Sequence, residues 1–151
     1  MSAADTTGAG PNADGVIGPI TTLRIVAAVV ERSDGRHLLV RKRGTQAFMQ
    51  VGGKIEPGEE PVAALVREVE EEVGLRLAPA DIDWLGRFGA PAANEPDHIV
   101  DAHAYRVRLR PGTEIAVQAE LEELVWIDPA DPVVDYPLAP LSRDLLAAAG
   151  Y

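Results

Sequence analysis

One stretch, Gly53 to Leu75 (GKIEPGEEPVAALVREVEEEVGL), constrains this chain more than any other. Seven glutamates fall between Glu56 and Glu72, and Glu68, Glu70, Glu71 and Glu72 crowd its end. On a helix, Glu68, Glu71 and Glu72 stand at i, i+3 and i+4, so their side chains share one face. Like charges at that spacing repel and weaken an isolated helix. A solvated acidic face is the ordinary outcome of such patterning. The alternative is a hard divalent cation, which takes carboxylate oxygens together with substrate phosphates and water.

The helix is well punctuated. Pro61 suits the first helical position, where its missing N–H costs nothing. Val62, Leu65, Val66, Val69 and Val73 recur at helical steps and predict the buried stripe. Gly74 can take the left-handed conformation that closes a helix. Gly52-Gly53 and Pro57-Gly58 read as brackets of a loop between a strand end and this helix.

Gly53, Glu59, Arg67, Glu68, Val69, Glu71, Glu72, Gly74 and Leu75 also fill every fixed position of a known signature. It runs Gly, five residues, Glu, seven residues, Arg-Glu, aliphatic, any, Glu-Glu, any, Gly, aliphatic. The chain thereby resembles the Nudix family, over roughly Leu23 to Leu146. The resemblance implies an α/β/α sandwich around a mixed sheet, and hydrolysis of a nucleoside diphosphate-linked substrate with Mg²⁺, Mn²⁺ being a substitute. It implies Glu68, Glu71, Glu72 and the Gly53 carbonyl as metal ligands, Arg67 as the residue orienting them, Glu59 as a brace and Gly74 as the helix stop. The catalytic set it implies is Arg67, Glu71 and Glu72, joined by Glu120 as a further ligand or general base. Glu123 is the other candidate for that last position. A basic residue among Arg41, Lys42 and Arg43 is expected on the substrate phosphates, and Phe48 stands where relatives carry an aromatic. For each, the plainer reading is a solvated strand end or core packing. Val51 departs from the family, which commonly has proline there. The segment Gly52-Gly53-Lys54-Ile55-Glu56 is similar to that of MutT-like nucleoside triphosphate pyrophosphohydrolases. ADP-ribose, sugar nucleotides and dinucleoside polyphosphates are the alternative substrates, and a noncatalytic nucleotide-binding regulator is the alternative of another class.

The rest of the chain agrees with a single α/β domain over residues 21–151, preceded by a flexible tail over 1–20. Its 151 residues suffice for a real core, and no cysteine is present for disulfides or thiolate chemistry. The net charge of −10 argues against nucleic acid and anionic membrane as partners, but not against a small nucleotide held through a metal. No apolar run reaches membrane-spanning length, so a cytoplasmic protein is expected, and a homodimer stays open.

Leu23 to Val30 reads as a buried strand, Ser33-Asp34-Gly35 as a hairpin turn and Leu38 to Arg43 as the returning strand. Further strands are expected over Asp83 to Phe88, Ile99 to Leu109 and Leu121 to Ile127, with a loop from Gly89 to Asp97 and a final helix from Leu141 to Ala149. Along the Ile99 strand, Asp101, His103 and Tyr105 share a side that would line a pocket if turned inward. His98 and His103 do not make a metal pair.

Overall fold

The computed structural model describes residues 4–11, 17–92, 96–128, 130–131 and 136–150. Its spine is a long strand, β2 (Ile17–Glu31), whose β-branched apolar run is buried on both faces. Val26, Ala28 and Val30 face one cluster, Ala27 and Val29 the other. The period of two thus sends one strand into two cores.

β2 runs parallel to β7 (His98–Arg108), from Thr21 opposite His98 to Glu31 opposite Arg108. Its other edge is shared by β1 (Ala4–Pro11) and β5 (Val51–Lys54), both antiparallel to it. β3 (His37–Lys42) returns through the Ser33-Asp34-Gly35 turn and carries β4 (Phe48–Met49) and β8 (Leu121–Ile127). β6 (Ile82–Pro91) lies on the outer side of β7. One parallel pair among antiparallel ones makes the sheet mixed. Helix α1 (Pro61–Val73) covers one face through Leu65, Val69 and Val73. Helix α2 (Ser142–Ala148) covers the other through Leu145. The result is the expected α/β/α sandwich. Among the described residues, no helix is long and apolar enough to cross a membrane.

Several boundaries differ from the sequence reading. Part of the expected tail, Ala4–Pro11, is a strand. Its pairing to β2 is made by backbone groups, which leave no period in the side chains. Gly52 and Gly53 are not loop residues but lie within β5, opposite Ala27 and Val26. The expected loop from Gly89 begins late, because β6 continues to Pro91; residues 93–95 of that segment fall outside the described part. Val62, expected in the buried stripe, is 47% exposed. The buried arc of α1 is rotated toward Ala64 and Glu72, which leaves Val62 at its margin.

The ends of α1 match expectation. Glu60 is extended, Pro61 opens the helix, and Gly74 at φ 70° returns its N–H to the Glu70 carbonyl at 3.0 Å.

Candidate active site

The rotation of α1 grades the three signature carboxylates by depth. Glu72 lies in the buried arc and is 3% exposed. The Glu68 side chain is 15% exposed, and that of Glu71 is 56% exposed. Glu68 and Glu72 enter a cavity of about 470 Å³, whereas Glu71 turns outward to within 3.6 Å of Arg67 Nη1. Among the described residues, no three acidic or imidazole side chains stand close enough to form a metal cage unaided.

Arg67 organises the helix's acidic side. Its Nε and Nη2 donate to the two Glu59 oxygens at 2.9 Å each, a bidentate pair. Nη1 donates to Glu68 at 2.8 Å and Nη2 to the Lys54 carbonyl at 3.0 Å. Glu59 also accepts the Glu56 N–H at 3.0 Å, closing the loop between β5 and α1. The hydrogen bonds from Arg67 and the Glu56 N–H hold the Glu59 carboxyl down at about 2. Removing this fork orphans several acceptors at once. Arg67→Ala is expected to destabilise the protein by about 2 kcal/mol, with Arg67→Lys recovering only part, as read by urea unfolding. An unchanged midpoint in both would show that the network carries no stability.

Glu72 has the opposite environment. Burial and, next, the neighbouring Glu68 carboxylate push its carboxyl up to about 8, against smaller opposing pulls from Lys42 and the Gly52 N–H. That N–H donates to Glu72 Oε1 at 3.3 Å. Burial also raises Glu68, in spite of its bond to Arg67.

The basic run at the end of β3 diverges, with Arg41 and Lys42 in the strand and Arg43 in the turn after it. Lys42 lines the cavity with its Nζ 3.4 Å from Glu120 Oε1. Arg41 points away, bonded to Glu123 Oε1 at 2.8 Å and to the Thr45 carbonyl at 2.7 Å. Arg43 is exposed near Glu122, at 3.8 Å. Alternation along the strand explains the split between Arg41 and Lys42: neighbours in sequence point to opposite sides. Glu120 is on the cavity wall, while Glu123 is held by Arg41. Backbone bonds carry the Glu120 segment: Gln118 N–H to the Glu72 carbonyl at 2.8 Å, and Arg43 N–H to the Glu120 carbonyl at 2.8 Å. Ala119 between them takes φ 54°, an uncommon conformation for a residue with a Cβ.

Phe48 is buried against Leu39, Ile127 and Leu146, edge-on to Tyr136, and is absent from the cavity wall. Its neighbours Met49 and Gln50 are on the wall instead. The polar row on β7 also turns away: Asp101 pairs with Arg87, and His103 lies beside Trp84. The opposite side of β7 supplies Val100 to the cavity, together with Leu23 and Ile25 from β2 and Leu145 from α2. Gln50 and Ser142 escaped the sequence reading. A lone glutamine in the apolar run from Phe48 to Val51 was the available signal for Gln50, and Ser142 offered none.

The donor set suits a hard divalent cation. Glu68 and Glu72 are adjacent carboxylates in a partly dry pocket, where a cation relieves both burial and repulsion. At Gly53 a Cβ would sit 2.3 Å from the Glu68 Cδ, so only a glycine lets the strand come this close to that carboxylate.

Comparison with known proteins agrees with this geometry. The NUDIX domain model matches residues 21–149. The chain is 37% identical over 132 residues to the CTP pyrophosphohydrolase of Escherichia coli K12, covering 83% of this chain and 90% of that protein. It is 34% identical over 112 residues to an octanoyltransferase of Myxococcus xanthus, covering 73% of this chain but spanning only 31% of that protein's length. Among solved structures, the MutT NUDIX hydrolase of Burkholderia pseudomallei superposes with a TM-score of 0.71 at 26% identity, covering 84% of this chain and 97% of that one. With its signature helix, its sandwich and this match across most of its length, the chain belongs to the Nudix hydrolase family.

Proposed function

We propose that this protein is a Mg²⁺-dependent pyrophosphohydrolase of nucleoside triphosphates, with Mn²⁺ able to substitute and a cytoplasmic site of action. The observation that carries the reading is one cavity lined by both Glu68 and Glu72 and by an apolar wall of Leu23, Ile25, Val100 and Leu145. The first part suits a metal-bound diphosphate and the second a flat ring.

In this reading Glu68 and Glu72 hold the metal, with the Gly53 carbonyl beside them and Glu71 recruited from its exposed position. The bound cation supplies charge neutralisation on the phosphates and a lowered pKa for a coordinated water. Arg67 keeps Glu68 aimed into the cavity and is itself held by Glu59. Lys42 offers its ammonium to phosphate oxygens, and its ion pair with Glu120 keeps that carboxylate on the cavity wall as proton acceptor. Arg41 and Arg43, engaged with or near surface glutamates, are left outside the site.

The test is hydrolysis of a nucleotide panel with Mg²⁺, products resolved by chromatography, with Glu72→Gln as control. Cytidine triphosphate heads the panel, given the similarity to a CTP pyrophosphohydrolase. The expected result is nucleoside monophosphate plus pyrophosphate, lost in the control. Turnover confined to ADP-ribose, a sugar nucleotide or a dinucleoside polyphosphate would replace the triphosphate reading. Nucleotide binding without any turnover would make the protein a noncatalytic regulator.

A further inference from the structure

Two buried polar side chains in the cavity wall have no role in the metal and phosphate site proposed above. Gln50, between β4 and β5, is 6% exposed, and Ser142, opening α2, is 1% exposed. Both line the cavity. Buried polar groups need an account of every donor and acceptor, and this pair gives an informative one.

The Ser142 hydroxyl has one proton and two acceptors within reach. Gln50 Oε1 lies at 2.9 Å and the Phe48 carbonyl at 3.4 Å. The Gln50 contact is the shorter and takes the hydroxyl proton, while the Phe48 carbonyl accepts the Ala139 N–H at 2.9 Å. Ser142 is itself anchored, its N–H bonded to the Ala139 carbonyl at 2.9 Å. A flipped amide would set Oε1 against the Ser142 carbonyl, acceptor facing acceptor, so the amide is held in this orientation. Its NH₂ group then carries two donors. One reaches the Ser142 carbonyl at 3.4 Å, the outer limit of a hydrogen bond. Among the described residues that is the amide nitrogen's one bond, so its second N–H is left for a ligand. Ile25, Met49 and Leu145 supply apolar surface on the same cavity wall.

We infer that Gln50, oriented by Ser142, selects the base in this cavity by donating an amide N–H to an acceptor on the ring edge, such as N3 or O2 of cytosine. The inference rests on the nucleotide reading above. Gln50 is the specificity residue, and Ser142 is a positioning residue that acts through it. A site built around a buried donor rejects rings that offer it another donor or nothing, because its N–H then stays desolvated and unpaired.

The experiment measures binding of CMP, UMP, AMP and GMP to the full chain without metal by calorimetry, beside kcat and KM for the four triphosphates with Mg²⁺. Wild-type protein is expected to rank the bases. Gln50→Leu should weaken the favoured monophosphate by about ten- to a hundredfold, with inorganic pyrophosphate binding unchanged. Gln50→Glu keeps the size and shape of the side chain, and so decides the matter if the leucine variant melts early. It should penalise the same base. Ser142→Ala should flatten the ranking through KM more than kcat, and Ser142→Thr should restore it, which a merely structural role would not produce. Equal losses for all four bases, no losses, or a wild type that does not rank them would overturn the inference while leaving the hydrolase reading intact. A wild type that neither binds nor hydrolyses any nucleotide would overturn both.

Discussion

Glu72→Gln is expected to lower kcat by at least about a hundredfold, yet to make the metal-free protein more stable at alkaline pH. Both outcomes follow from one environment. Burial, reinforced by Glu68, raises the Glu72 carboxyl to about 8, so the metal-free fold favours its protonated form. Its contribution to stability is therefore full below the ordinary value of 4.5 and erodes as pH rises through 8. Within that window the slope is about 1.4 kcal/mol per pH unit. Glutamine keeps the shape without the charge and should flatten the slope. A divalent cation favours the ionised carboxylate, so added Mg²⁺ should raise the wild-type melting temperature most at high pH and the variant's much less. Melting curves from about pH 5 to pH 9, with and without Mg²⁺, read both effects. A variant that keeps the wild-type pH slope, or its kcat within a few fold, would sink the assignment of Glu72.

The depth of Glu72 also shows where sequence reasoning stops. The identity of the acidic helix, its start at Pro61 and its end at Gly74 were legible, because caps and spacing are local properties. The β-branched apolar run from Leu23 to Val30 announced a buried strand, and β2 places it between two cores. What was not legible is how far α1 rolls on the sheet. That angle is decided by side chains far away in the chain, and it separates a buried Glu72 from an exposed Glu71 one residue earlier. The same holds for Arg41, Lys42 and Arg43, equivalent by composition but divided by the pleat, the strand's end and the glutamates at β8. Gln50 and Ser142 lie 92 positions apart and become a pair only after α2 docks. Phe48 lies in the core, the plainer of its two readings, since a large apolar ring serves a core as readily as a pocket. Local chemistry was therefore readable and long-range orientation was not.

The two adjacent glycines of β5 should fail in different ways when each is given a methyl group. At Gly52 a Cβ would lie 2.0 Å from the Val26 carbonyl oxygen, 3.0 Å from its carbon and 3.1 Å from the Ala27 Cα. All three atoms belong to the backbone of β2, which has no rotamer to move into. β5 must lift away, breaking the register from Ile25–Lys54 to Ala28–Val51. Gly52→Ala is expected to cost about 3 kcal/mol, or about 6 to 12 °C in melting temperature. At Gly53 the Cβ would meet only the end of the Glu68 side chain, its Cδ at 2.3 Å and its oxygens at 2.4 and 2.6 Å. A side chain can swing aside, so Gly53→Ala should cost about 1 kcal/mol or less. The displaced carboxylate would leave the cavity, and Mg²⁺ affinity and turnover should fall together. Urea unfolding and metal calorimetry on the two variants separate the cases. If Gly53→Ala bound Mg²⁺ as tightly as the wild type, Glu68 would have no part in holding the metal. If Gly52→Ala melted like the wild type, the close packing of β5 on β2 would not be what requires a glycine there.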